Sequence, residues 1–196
     1  VEHRVVDRVV PATHTTPEPV GLQQLFASML DAGCTHCFME ASSHALHQHR
    51  LAGTPLTGAV FTNITHDHLD YHGDFNGYIA AKKSLFDGLG APAFALTNAD
   101  ARHHETMVAG TKARVVTFGT QQVADYKTRI IDNGLGGLQL HIDGQDLYTR
   151  LIGEFNASNL TAVYAVAREL GWDSMETLTH LPSLHAPDGR IQHVQS

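Results

Sequence analysis

The chain contains 196 residues and carries a formal charge of −7, because 20 Asp and Glu oppose 13 Lys and Arg. This length predicts one domain, and 42% hydrophobic against 17% charged residues argue against global disorder. The acidic balance disfavours a protein that coats nucleic acid, and no apolar run approaches the ~20 residues that span a bilayer. Two cysteines cannot make a disulfide framework, so we expect a soluble cytoplasmic protein that binds neither nucleic acid nor membrane.

Helical and strand-like patterns alternate along most of the chain. Apolar spacing predicts helices over 20–32, 74–89, 156–170 and 174–181, and strands over 35–41, 56–62, 93–97 and 113–118. Between 126 and 152, alternating residues around paired glycines predict two tight hairpins. The expected fold class is α/β, a mostly parallel sheet flanked by helices with a small antiparallel sheet from about 126–152.

Polar residues follow two of the predicted strands abruptly. Glu40 ends the first strand, and a run from Asn63 through His68 follows the second. Ligands in parallel sheets bind beyond the carboxyl ends of the strands, so Glu40 and His68 could face one crevice. The alternative is that Glu40 caps a short helix over 42–47 and that the histidines belong to a surface loop.

Lys82 interrupts the apolar face of the predicted 74–89 helix. Its neighbours at helical spacing are apolar, whereas Lys83 points elsewhere and can be solvated. Either the Lys82 side chain extends past its neighbours to water, or burial lowers its pKa. A neutral amine can add carbon dioxide and become a carbamate, which would supply oxygen ligands for Mg²⁺.

Other short motifs are weak by themselves. Cys34 and Cys37 form C-x-x-C, but the pair closes a helix instead of opening one, which disfavours a redox role. Hydroxyl, amide and guanidinium groups that suit phosphate or sugar occur at Thr15-Thr16-Pro17, Asn156, Asn159 and Gly189-Arg190. Asn156 is a candidate helix N-cap, and Asn159 lies one turn further on, where no capping role explains it.

Three blocks together resemble the central, ATP-binding domain of the Mur ligase family: MEASSHALHQHRL, AVFTNITHDHLDYHGDFNGYIAAKKSLF and GEFNASNLTAVYA. The resemblance runs in order from about Thr15 to Arg190 and is strongest to the members that add a third residue to UDP-N-acetylmuramoyl-L-alanyl-D-glutamate. It implies an ATP-dependent amide ligase of peptidoglycan synthesis that works through an acyl phosphate. Mg²⁺ would be the metal, and the muramoyl peptide and an amino acid would be the other substrates.

The resemblance also implies roles for individual residues. Lys82, carbamylated, and His68 would be catalytic, and both would bind metal together with Glu40. The ATP-binding residues would be Asn63, Asn156, Asn159 and Arg190. The residues that hold the muramoyl peptide would be Thr15, Thr16, Ser42, Gln48 and Arg50.

One element of the family is missing from the sequence. The chain contains no Gly-Lys pair and therefore no G-x-x-x-x-G-K-[ST] phosphate loop. We therefore expect residues 1–196 to be a single central-domain fragment, without the phosphate loop, the N-terminal UDP-binding domain and the C-terminal domain, and inactive by itself.

Three other functions stay open at this stage. Another ligase of the superfamily, of the folylpolyglutamate or cyanophycin type, would share the ATP and Mg²⁺ elements. A ligase-like module without activity could serve binding alone. The run His66-Asp67-His68-Leu69-Asp70-Tyr71-His72 approaches the H-x-H-x-D-H pattern of metallo-β-lactamase-like zinc hydrolases, but its last histidine is one residue late.

Overall fold

The computed structural model describes residues 2–64 and 74–185. The chain divides into two compact units. The first contains residues 2–56 and 74–88 of the described chain, and the second contains 57–64 and 89–185.

Within residues 2–56 and 74–88, the first unit contains a hairpin and three helices. The antiparallel strands β1 (Glu2–Val5) and β2 (Arg8–Pro11) form the hairpin, and α1 (Pro19–Asp31), α2 (Ser43–His47) and α3 (Phe75–Asp87) follow. Pro19 starts α1, where a missing N–H costs no helical hydrogen bond. The Asp74 carboxylate caps α3 by accepting from the Gly77 amide at 2.7 Å. The helices predicted over 20–32 and 74–89 are therefore confirmed.

The strand predicted over 35–41 is wrong. These residues form no strand, and Phe38 is 66% exposed. A strand is stable only beside another strand, and within residues 2–64 and 74–185 no strand pairs with this segment. The extended pattern is present in the sequence, but the hydrogen-bonding partner that it needs is not among the described residues.

The second unit is built on one six-stranded sheet. Its strands are β3 (Gly58–Phe61), β4 (Phe94–Asn98), β5 (Arg114–Gly119), β6 (Tyr126–Gly134), β7 (Gly137–Ile142) and β8 (Gln145–Thr149), and they lie side by side in this order. The pairs from β3 to β6 are parallel and those from β6 to β8 are antiparallel. The predicted fold class is confirmed, and the antiparallel hairpins continue the parallel sheet.

Helices cover this sheet. They are α4 (His104–Val108), α5 (Glu154–Glu169) and α6 (Ser174–His180), with a 3₁₀ turn at Leu181–Ser183. Leu160 and Tyr164 of α5 pack on the hairpin strands, whereas Ala162 and Ala165 pack on the parallel strands. One helix thus joins the two halves of the sheet into one core. No helix within the described ranges is long and apolar enough to cross a membrane.

Two aspartates fix the short connection between the parallel strands β5 and β6. Parallel neighbours normally need a long crossover, yet only residues 120–125 separate this pair. The Asp100 carboxylate accepts from the backbone amides of Thr120, Gln121 and Gln122, and Asp125 accepts from the amide and hydroxyl of Thr117. The hydrogen bonds from these amides lower the pKa of Asp100 against the opposing effect of its burial.

Candidate functional site

Lys82 of α3 is half-buried and lies within electrostatic range of the Glu40 carboxylate. Its Nζ is 5.3 Å from the centre of the Tyr78 ring, one turn earlier on the helix. Burial lowers the pKa of Lys82, and the charge of Glu40 opposes this shift. The amine therefore loses its proton more readily than an exposed lysine. Lys83 instead forms an exposed ion pair with Asp87, so the two adjacent lysines differ as predicted.

Thr16 fixes the backbone on both sides of Ala41. It is 1% exposed, its hydroxyl donates to the Glu40 carbonyl at 2.7 Å, and it accepts from the Ser42 amide at 3.3 Å. Both functions of the hydroxyl are thereby used within the protein. Thr16, predicted to hold substrate, sets the conformation of the segment that carries Glu40, and Thr15 beside it is half-buried.

Arg50 is held by the same region of the first unit. Its Nη1 donates to the Thr16 carbonyl at 2.8 Å, and its Nε and Nη2 donate to the Gln48 Oε1 atom at 2.8 and 2.6 Å. Nη2 also lies 2.8 Å from Glu18 Oε1. The structure thus brings together three residues that were predicted separately, Thr16, Gln48 and Arg50, and adds Glu18 to them.

Ser42 and Ser43 have different roles at the start of α2. The Ser42 hydroxyl caps the helix by accepting from the Ala45 amide at 3.2 Å, so Ser42 and not Glu40 is the cap. Ser43 is buried, and its hydroxyl has no hydrogen-bond partner among the described residues. A buried hydroxyl without a partner is costly, which marks Ser43 as a ligand-binding candidate that the sequence pattern did not single out.

Asn98, at the carboxyl end of β4, connects two candidate elements of the second unit. It is 7% exposed, and its Nδ2 donates to the Thr62 carbonyl at 2.8 Å and to Ser158 Oγ of α5 at 3.3 Å. Its Oδ1 accepts from the Asp100 amide at 3.0 Å. These two donated hydrogen bonds link Thr62, which follows β3 and precedes the exposed Asn63, to helix α5. The rule that polar residues follow parallel strands could have found Asn98, because it ends a buried strand.

Asn156 and Asn159 lie together on the first turns of α5. Gly153 precedes the helix, so Asn156 occupies its third position and is not the N-cap. Its Nδ2 donates to the Ile152 carbonyl at 2.8 Å, and Asn159 Nδ2 donates to Asn156 Oδ1 at 3.3 Å. Asn156 is buried and Asn159 is exposed, so the outer amide of the pair can contact a ligand.

Two predicted site residues, His68 and Arg190, lie outside the described residues. Within 2–64 and 74–185, no three His, Cys, Asp or Glu side chains form a group that could hold a metal ion. The thiols of Cys34 and Cys37 are free, and burial together with Cys34 raises the pKa of Cys37. This shift disfavours the thiolate that a redox motif needs.

The sequence matches the Mur ligase middle domain over residues 2–167, so the chain belongs to the Mur ligase family. It is 49% identical, over 98% of its length, to the UDP-N-acetylmuramoyl-L-alanyl-D-glutamate–2,6-diaminopimelate ligase of Cytophaga hutchinsonii. It is 44% identical, over 95% of its length, to the ligase of the same name from Parabacteroides distasonis. Family membership removes the zinc-hydrolase alternative.

Solved structures agree with this assignment. A UDP-N-acetylmuramoyl-L-alanyl-D-glutamate–2,6-diaminopimelate ligase superposes with a TM-score of 0.77 at 31% identity, over 96% of this chain and 41% of that one. The MurF ligase from Thermotoga maritima in complex with ADP shares the fold, with a TM-score of 0.60 at 19% identity over 84% of this chain and 40% of that one. The chain spans 40% and 38% of the two curated relatives named above.

Proposed function

We propose that this chain is the central part of an ATP-dependent amide ligase that adds the third residue to UDP-N-acetylmuramoyl-L-alanyl-D-glutamate in cytoplasmic peptidoglycan synthesis. The observation that carries the proposal is the half-buried amine of Lys82, whose charge interacts with that of Glu40, in a chain 49% identical to a diaminopimelate ligase. The names of the similar ligases favour diaminopimelate as the incoming amine.

The chemistry of Lys82 and Glu40 fits a magnesium site. A neutral Lys82 amine attacks carbon dioxide, Nζ forms a bond to carbon, and one proton leaves to solvent, so that a carbamate results. Burial supports this step because it lowers the pKa of the amine. Carbamate and the Glu40 carboxylate are the hard oxygen donors that Mg²⁺ accepts, with His68 as the third proposed ligand. When bound, Mg²⁺ would neutralise the charge that develops on the transferred phosphoryl group.

The remaining residues bind the substrates. In the first unit, Thr15, the buried Ser43 and the group formed by Gln48 and Arg50 would contact the muramoyl peptide, while Thr16 and Ser42 would shape the backbone there. In the second unit, Asn63, Asn156 and Asn159 would contact ATP, together with Arg190. The substrate carboxylate takes the γ-phosphoryl group of ATP, and the incoming amine then displaces phosphate from the acyl phosphate.

We further propose that the phosphate loop, a UDP-binding domain and a domain that receives the amino acid belong to the same longer chain. The coverage of about two fifths of each similar ligase supports this arrangement. The flanking domains would then be the partners of this domain, and residues 1–196 alone would not form the amide.

The test is phosphate release from ATP by the complete reading frame. With UDP-N-acetylmuramoyl-L-alanyl-D-glutamate present, we expect release that requires diaminopimelate and not lysine, and a tripeptide product in the mass spectrum. The same assay on residues 1–196 should give no release. A folded complete protein that releases no phosphate with either amino acid would overturn the proposal in favour of another ligase of the superfamily or a binding module.

A further inference from the structure

The ion pair between Arg50 and Glu18 joins two groups of unequal exposure. The Arg50 side chain is 9% exposed, whereas that of Glu18 is 67% exposed. Among the described residues, Glu18 is the one carboxylate within ion-pair distance of Arg50. A buried guanidinium needs a compensating anion, but an exposed carboxylate pays little desolvation and gains little from the pair. The anion on Arg50 can therefore be exchanged at low cost.

Arg50 does not depend on Glu18 for its position. The Thr16 carbonyl and the Gln48 side chain hold Nη1, Nε and Nη2 at 2.6 to 2.8 Å. These acceptors are uncharged, so they orient the guanidinium without neutralising it. If Glu18 moves away, the Arg50 guanidinium keeps its position, and its positive charge is available to another anion.

Glu18 has no other structural task in the described chain. It lies at the N-cap position of α1, but its side chain makes no capping hydrogen bond. It also lines a cavity of about 500 Å³ together with His3, Arg8 and His14. The Arg8 guanidinium offers the displaced carboxylate a second cationic environment.

We propose that Glu18 occupies, on Arg50, the place of an anionic group of the substrate and competes with that group for the guanidinium. The inference rests on the proposed function, in which Arg50 meets the muramoyl peptide. Glu18 keeps the buried cation neutralised until a carboxylate with better geometry replaces it. This competition lowers the affinity of Arg50 for every anion, so an anion stays bound only when it makes further contacts with the protein.

The test compares Glu18→Gln with wild type in the complete ligase. Removal of the competing charge should lower the KM for UDP-N-acetylmuramoyl-L-alanyl-D-glutamate by about two- to fivefold, while kcat and the KM for ATP stay the same. The matched control is Glu2→Gln, which removes another exposed carboxylate that pairs with an arginine, Arg4, and it should leave all three constants unchanged. In an Arg50→Lys background, Glu18→Gln should no longer lower the KM.

A second comparison does not need catalysis. Malonate should raise the Tm of the 196-residue chain more in Glu18→Gln than in wild type or Glu2→Gln. An unchanged or raised KM in Glu18→Gln, or equal malonate shifts, overturns the role of Glu18. If the complete wild-type ligase forms no tripeptide, the proposed function fails, and the malonate comparison still decides whether Glu18 competes with anions on Arg50.

Discussion

Substitution of Asn98 by Asp tests the hydrogen bonds that link the end of β3 to α5 in the second unit. The change preserves shape and the acceptor for the Asp100 amide, but it removes the donor to the Thr62 carbonyl at 2.8 Å and to Ser158 at 3.3 Å. Each lost hydrogen bond costs ~1 kcal/mol, and the burial of the new carboxylate without a donor from Thr62 or Ser158 adds ~1 kcal/mol. We expect a loss of about 3 kcal/mol in the free energy of unfolding at pH 7, a factor of roughly 150 in the folding equilibrium.

The loss should depend on pH. Burial and the Thr62 carbonyl disfavour the charged form of the new carboxyl group, so its pKa in the folded state lies above the unfolded value. The protonated group can donate to that carbonyl, which restores stability below the unfolded pKa of about 3.9. Stability is then lost as the pH rises through the folded-state pKa.

Urea denaturation of the 196-residue chain measures this effect. Trp172 is the single tryptophan and lies in the second unit, so its fluorescence follows the unit that contains Asn98. The matched control is Asn133→Asp at an exposed position of β6, where we expect a change within about 0.5 kcal/mol. Equal stabilities of the two variants at pH 7, or a difference that does not narrow on acidification, would refute the reasoning. In the complete ligase, Asn98→Asp should raise the KM for ATP.

Three further changes test the remaining features. Lys82→Ala in the complete ligase should abolish amide formation and regain part of it with added short carboxylates, whereas Lys82→Arg should stay inactive because it remains cationic. Gly137→Ala should destabilise the chain by about 3 kcal/mol or more, because φ is +145° and a Cβ would lie 2.0 Å from the Thr149 carbonyl oxygen. Hydrogen bonding from Ser174 lowers the pKa of Asp143. The ionised Asp143 carboxylate therefore stabilises the folded state above its unfolded pKa, and this stabilisation is lost as the pH falls through the folded-state pKa. Asp143→Asn should remove this part of the pH dependence of stability.

Each change has its own comparison. Lys83→Ala removes the neighbouring exposed amine and should keep activity; full activity of Lys82→Ala would remove the carbamate hypothesis. Gly144→Ala is also at positive φ, but no atom lies within 4 Å of the added Cβ, so urea denaturation should show a smaller loss than for Gly137→Ala. Asn tolerates the left-handed φ of +49° at Asp143, so identical stability-pH curves for Asp143→Asn and wild type would exclude a role of this carboxylate.

Local patterns predicted most of the fold, whereas the roles of the candidate site residues stay predictions. Lys82 interrupts an otherwise apolar helical face, and the structure shows that its side chain is half-buried. Helical periodicity shows which side chains share a face, so this position could be recognised from the sequence. The strand predicted over 35–41 failed, because a strand requires a partner and its own sequence does not contain one. His68 and Arg190 remain predictions.

The roles around Arg50 were beyond local reasoning. Arg50 contacts Thr16 and Glu18, which lie more than 30 positions earlier in the chain. No helical or strand periodicity relates residues so far apart. Thr16 is predicted to contact substrate, which stays a prediction, and the structure shows that its hydroxyl also fixes the backbone between Glu40 and Ser42. The sequence shows which groups are available, and the long-range contacts decide which of them are already bound within the protein.

The order of the strands in the six-stranded sheet has a consequence for how the second unit folds. Spatial order and chain order are identical from β3 to β8, so each strand pairs with the strand that precedes it. After β4 the loops that must close are short, and low contact order favours fast folding. During synthesis each new strand can cover the exposed edge left by the one before it, which limits the time that an edge is open to aggregation. The 3₁₀ turn at Leu181–Ser183 then packs on β8, the strand at the end of this order.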